Sequence, residues 1–221
     1  MRLFPPLALL IGLIALLAPS MANARDVFQL APSSAGVETI SAAVGGLEGS
    51  YLFDSGIGTT GVTPAVATAI GCKPWAKVTG FRAIGERLDV PRCNSAIVKI
   101  GPITQTLSQL SVFDLEKFMG SASKGLSGAI GLDTFAGRTV TFDVAHHQLI
   151  IEDVESVEAI KKTAVEVSVR LVRAAEGAAL TVDLGVPTSS GTAWMELDTG
   201  NYGPSMVDRS IAGLFLSLIH I

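Results

Sequence analysis

Two triplets stand out for what their atoms could do: Asp54-Ser55-Gly56 and Asp198-Thr199-Gly200, with the two aspartates 144 positions apart. Each follows an apolar, strand-like run, so each would present a carboxylate at the tight turn where a strand ends. Glycine lets the backbone bend and approach closely, and the hydroxyl of Ser55 or Thr199 can tie its loop to a neighbouring one. If the two loops face each other, the carboxylates must share one proton, because both cannot ionise a few ångströms apart. The ionised member would then draw a proton from a bound water as that water attacks a peptide carbonyl. The protonated member would polarise the carbonyl, and the two would exchange roles as the amide leaves. The bland alternative is that both aspartates only cap turns, as Asx residues often do.

The elements that would hold these triplets read as β structure. Residues 37–44 alternate as a strand, 45–49 form a turn, and 50–53 form a second strand running into Asp54. The Gly- and Thr-rich stretch 54–61 is irregular. Thr63 and Pro64 open a short helix over 64–70, which Gly71 ends. Residues 76–90 read as a hairpin, and strands follow over 95–100 and 105–113 around the Gly101-Pro102 turn. Residues 127–135 form another strand-to-helix turn, 139–143 and 148–152 a closing hairpin, and 153–162 a charged linker. Alternation resumes over 165–172 and 179–184, then a turn at 187–191 leads through Trp194 and Leu197 into Asp198. The order strand, turn, strand, Asp-Ser/Thr-Gly thus occurs twice, which suggests two related lobes in one chain.

Composition agrees with a turn-rich β protein: 23 glycines in 221 residues, 48% hydrophobic, 6% aromatic and 16% charged. The net charge of −4 gives no electrostatic footprint for nucleic acid, and none is expected as a partner. Arg2, the apolar run 3–18 and Ala22-Asn23-Ala24 read as a cleaved leader over 1–24, with the mature chain starting near Arg25. A membrane anchor is the alternative, but the run is shorter than the roughly 20 residues a span needs. The expected location is therefore periplasmic or secreted, with no membrane span after cleavage. In an oxidising compartment Cys72 and Cys93 read as one structural disulfide, with two buried thiols or a partial metal site as alternatives. Without a nearby histidine they do not make a zinc set. Residues 216–221 read as a non-native tail, or else as an ordinary apolar strand.

Phe53-Asp54-Ser55-Gly56, the Gly-Thr loop and the short helix after it resemble the first half of the bacterial retropepsin-like aspartyl proteases. Ala129-Ile130-Gly131-Leu132-Asp133 is similar to that family's apolar-apolar-Gly segment beneath the active loop, and residues 137–151 to its closing hairpin. Leu197-Asp198-Thr199-Gly200 is similar to the start of a second lobe. The resemblance implies an all-β fold, a closed acid-protease-type barrel lobe with one or two short helices, and an aspartic endopeptidase needing no metal or cofactor. It implies Asp54 and Asp198 as the catalytic pair, Ser55 and Thr199 as locks between the loops, and Gly56 and Gly200 as permitting their geometry. The hairpin carrying Thr79, Gly80, Phe81 and Gly85 would be a flap over a peptide or protein substrate. The first lobe would span 36–153, a linker 154–163, and an incomplete second lobe 164–215. Such a chain alone should be inactive, unless the first lobe pairs with a copy of itself as a homodimer. Ile57 and Asn201, where the family has small residues, and a flap without tyrosine keep an inactive peptide- or ligand-binding module as the alternative.

Other motifs compete less well. Gly56-x-Gly58-x-x-Gly61 spells a dinucleotide fingerprint, but a nucleotide site wants an acidic residue about 20 positions on, and 55–85 contains no Asp or Glu. Ser121-x-x-Lys124 lies in a Gly/Ser loop without its partner motifs. His146 and His147 sit in a turn without acidic or Cys partners at ligand spacing, and His220 belongs to the suspected tail. No serine has a His and Asp arrangement around it.

Overall fold

The computed structural model describes residues 25–82, 84–201 and 203–216. The expected leader, 1–24, and positions 217–221 of the suspected tail lie outside the described residues. Strands β1 (Asp26–Gln29), β2 (Ala31–Pro32), β3 (Glu38–Val44) and β4 (Leu47–Phe53) lead to the first triplet. After it come β5 (Gly61–Val62), helix α1 (Pro64–Ala69), β6 (Ala76–Phe81), β7 (Arg87–Cys93), β8 (Ala96–Ile100), β9 (Ile103–Leu107) and β10 (Leu110–Val112). Helix α2 (Leu115–Met119), β11 (Leu126–Ile130), β12 (Val140–Asp143), β13 (Gln148–Ile151) and helix α3 (Val154–Lys161) follow. The chain then forms β14 (Val169–Val172), β15 (Thr181–Thr188), β16 (Gly191–Glu196) and helix α4 (Ala212–Leu216).

The fold is all-β with short helices. Ten strands form one curled sheet in the order β6-β7-β10-β5-β11-β4-β3-β8-β9, with β2 added beside β3. Two three-stranded sheets, β1-β13-β12 and β14-β15-β16, complete it. The chain threads itself at the centre: β11 lies between β4 and β5, parallel to the first and antiparallel to the second. Ile130 is thereby level with Phe53, and Asp54 N–H donates to Ile130 O at 3.0 Å. Under this seam Tyr51, Phe53, Val62, Val98, Ile130 and Leu149 are at most 1% exposed. Phe53 meets the Phe135 ring edge-on at 6.1 Å and the Phe142 ring at 5.5 Å. Such ring pairs add to the energy of burial, so two aromatic contacts anchor the residue before Asp54 in the core.

Local chemistry explains most element ends. Gly45 and Gly46, with φ of 60° and 85°, form the two-residue turn that lets β3 fold directly onto β4. The expected five-residue turn is therefore shorter, and β4 starts at Leu47. Thr63 Oγ1 accepts from Val66 N–H at the start of α1, where Pro64 supplies the first turn. Cys72, just past α1, is disulfide-bonded to Cys93 at the end of β7, with 5.8 Å between their Cα atoms. The stretch expected as a charged linker is helical as α3. Asp153 caps it by accepting from Ser156 N–H at 2.7 Å, and Glu155 and Lys161 suit its two ends. Helix α2 had no clear sequence signal, because five residues are too few to express a helical period. Strand β15 runs through Thr188, narrowing the turn expected at 187–191 to two residues. No helix among the described residues is long and apolar enough to cross a membrane.

Candidate functional site

The two triplets lie against each other, joined by four reciprocal hydrogen bonds. Ser55 N–H donates to Thr199 Oγ1 at 2.9 Å, and Thr199 N–H donates to Ser55 Oγ at 3.0 Å. Each hydroxyl also donates back across the seam, Ser55 Oγ to Leu197 O at 2.5 Å and Thr199 Oγ1 to Phe53 O at 3.1 Å. The pattern has local two-fold symmetry. Ser55 is 1% exposed, so these bonds compete little with water.

The glycines complete the approach. A Cβ on Gly56 would lie 2.7 Å from Asp198 Cγ, and one on Gly200 would lie 2.5 Å from Asp54 Cγ. Each glycine therefore packs against the carboxylate of the opposite loop, and even alanine at either position would displace it. Asp54 Oδ1 accepts from Gly56 N–H and Ile57 N–H, both at 3.0 Å, while Asp198 Oδ1 accepts from Gly200 N–H at 2.9 Å. Burial, and after it the neighbouring Asp198 charge, pushes the Asp54 carboxyl up to about 7 against the pull of its two N–H donors. Asp54 is enclosed by protein on most sides, although its outer edge opens on the cleft.

That cleft, about 410 Å³, brings together Asp54, Gly56, Asp198 and Gly200 with Gly80 and Phe81 of the β6–β7 hairpin. Of the four expected flap residues, Gly80 and Phe81 line the cleft. Thr79 and Gly85 are not among its lining residues and instead serve the hairpin itself. Thr79 Oγ1 donates to Asp89 Oδ1 at 2.7 Å, and Gly85 N–H closes the tip on Arg82 O at 2.8 Å. Phe81 is 70% exposed, an apolar ring facing open space at the rim. Arg82 bonds Glu86 at 2.7 Å across the tip and lies 5.7 Å from the Phe118 ring of α2, so the hairpin leans over that helix.

Two features of the site escaped sequence reasoning. Glu196, at the end of β16, lines the same cleft, and its carboxyl is held above the usual range by burial and by the Asp198 and Asp183 charges. Its position two residues before Asp198 was a signal, since alternate strand residues share a face. The second is a buried brace. Asp133 accepts from Thr60 N–H at 2.8 Å, Thr60 Oγ1 at 2.7 Å and Thr134 N–H at 3.0 Å. Thr60 Oγ1 in turn accepts from Gly131 N–H at 2.9 Å. This network ties the loop after Asp54 to the segment after β11. Burial pushes the Asp133 carboxyl up to about 6 in spite of those donors.

His146 and His147 pair with Asp143 and Glu38, outside the cleft. No group of three or more His, Cys, Asp or Glu among the described residues is arranged to hold a metal ion.

No family model matches the chain, and no curated protein matches it. Among solved structures, the crystal structure of a retropepsin-like aspartic protease from Rickettsia conorii is similar over 57% of this chain and 89% of that one, at 18% identity and a TM-score of 0.40.

Proposed function

We propose that the protein is an exported aspartic endopeptidase, hydrolysing peptide bonds with Asp54 and Asp198 as a pair that shares one proton. The observation that carries this reading is the reciprocal bonding of Ser55 and Thr199, which holds two carboxylates against opposite glycines at the floor of one cleft. The raised Asp54 carboxyl supports it, because a group that keeps its proton to near neutrality beside a second carboxylate can act as acid while its partner acts as base.

In the reaction the ionised member takes a proton from a water lying between the two. The water oxygen bonds to the peptide carbonyl carbon, and the proton on the other carboxyl passes to the carbonyl oxygen. The tetrahedral diol then collapses. The C–N bond breaks, the departing nitrogen takes a proton from one carboxyl, a diol hydroxyl returns its proton to the pair, and a single shared proton remains. Gly80 and Phe81 would close over the peptide and exclude bulk water. Export accords with the Cys72–Cys93 disulfide, a bond that persists in oxidising compartments.

The test is turnover of a quenched fluorescent peptide pool by the full-length protein and by Asp54→Asn. The substitution should lower turnover by at least about a thousandfold, with peptide binding retained. Peptide binding by the wild type without turnover at any pH from acid to neutral would instead make the cleft a binding module. Asp198→Asn distinguishes the internal pair from pairing between first lobes of two copies: only in the second case does activity survive.

A further inference from the structure

Two positions before each aspartate stands a residue of the same strand face, Leu52 on β4 and Glu196 on β16, and both line the cleft. The bonds between Ser55 and Thr199 relate the two loops by local two-fold symmetry, so Leu52 and Glu196 hold equivalent positions on opposite sides of the carboxylate pair. They are chemically opposite. Leu52 is a buried alkyl group, 5% exposed, in an apolar wall with Ile57, Phe113 and Leu115. Glu196 is a carboxylate whose charge reaches the pair, where it contributes to holding the Asp54 proton.

Among the described residues no salt bridge engages Glu196. The rim cation Arg82 is held by Glu86 at 2.7 Å. Asp183, opposite Glu196 in the sheet, adds charge of the same sign, and Arg170, opposite Asp183, lies over the Trp194 ring at 3.7 Å. An extended peptide crossing the pair would therefore meet an apolar wall on one side of its central bond and, on the other, a carboxylate that Thr181 hydrogen-bonds but that no cation among the described residues neutralises.

We infer that Glu196 makes the cleft select peptides with Lys or Arg in the subsite on the Asp198 side and an apolar side chain in the subsite on the Asp54 side. This rests on the peptide-cleft reading above and adds to it the substrate class. A cation in that subsite forms a charge-assisted bond with Glu196, whereas an acidic residue meets like charge at the pair as well.

The experiment uses synthetic decapeptide pools identical except that norleucine replaces lysine. Cleavage sites are mapped by mass spectrometry with the full-length protein, and binding is measured with Asp54→Asn. Wild type should favour the lysine pool by about tenfold, with lysine enriched on one fixed side of the cut bond. Glu196→Gln should bring the ratio near one, and Glu196→Lys should reverse it toward a glutamate pool; a merely structural role for Glu196 would move none of these ratios. Cleavage of both wild-type pools at equal rates overturns the inference and leaves the hydrolase reading standing. Lysine-selective binding without cleavage supports the inference and moves the function to binding. Neither cleavage nor binding of any pool overturns both.

Discussion

Ser55 and Thr199 are bonded reciprocally: each hydroxyl accepts the other residue's backbone N–H and donates to the carbonyl two residues before it. One side chain thus satisfies a donor and an acceptor of the opposite loop, and the position of each aspartate depends on the hydroxyl beside the other.

Ser55→Ala and Thr199→Ala should each cost about 1–3 kcal/mol, since each leaves a backbone N–H and a carbonyl unmet at a closed seam. The double variant should cost less than their sum by about 1 kcal/mol or more, because the first loss already loosens the second contact. Urea denaturation of the four proteins measures this, and strict additivity would contradict a shared lock.

Asp54→Asn should stabilise the protein at neutral pH. The Asp54 carboxyl is near 7 in the folded chain against an ordinary 3.8, so the folded state binds the extra proton between those values. Stability tied to this group is therefore present in full below about pH 4 and is lost as pH rises to about 7. The asparagine variant escapes that loss while keeping an oxygen for Gly56 N–H and Ile57 N–H. The gain at pH 8 should be on the order of 1–4 kcal/mol and should vanish at pH 3. Melting temperatures of the two proteins across that range test it.

Asp133→Ala should cost about 3 kcal/mol or more, because Thr60 N–H and Thr134 N–H lose their buried acceptor. Asp133→Asn should recover part, having one acceptor in place of two. Hydrogen exchange at Thr60 should quicken more than exchange in β14, which belongs to the separate β14-β15-β16 sheet.

Replacing Cys72 and Cys93 together by alanine should cost about 3 kcal/mol, the chain-entropy value for a bridge spanning 21 positions. Chemical denaturation with and without reductant would give the same difference, and no effect would mean the α1–β7 junction is held by packing alone.

The triplets, the strands entering them and the short helix after Thr63 were legible because each depends on local chemistry: a carboxylate, a hydroxyl, a glycine, a cap. The Cys72–Cys93 bond was one of three sequence options and is present. That the charged stretch 153–162 is helical was not legible, because its charges dominate its composition while the Asp153 cap is a single residue. Asp133 and Glu196 carried partial signals, Asp133 in the segment that resemblance puts beneath the active loop and Glu196 two residues before Asp198, but what each bonds or charges did not show. Their roles arise from β11 threading beside β4 and from β16 meeting the first loop, and neither pairing leaves a trace in a local window of sequence. The fourfold bond between Ser55 and Thr199 was expected only through resemblance, since sequence alone does not state which loop faces which.

Threading β11 between β4 and β5 also sets a schedule. The strand that carries Asp54 has no parallel partner until residues near 130 have been made, and the opposite carboxylate comes from residue 198. Contacts this remote in sequence form late, because a long loop must close before they repay its lost freedom. The pair thus cannot exist in a half-synthesised chain, or in one still extended for passage across a membrane. On the endopeptidase and export readings proposed above, the cleft would stay silent through the period when its own polypeptide is most easily cut.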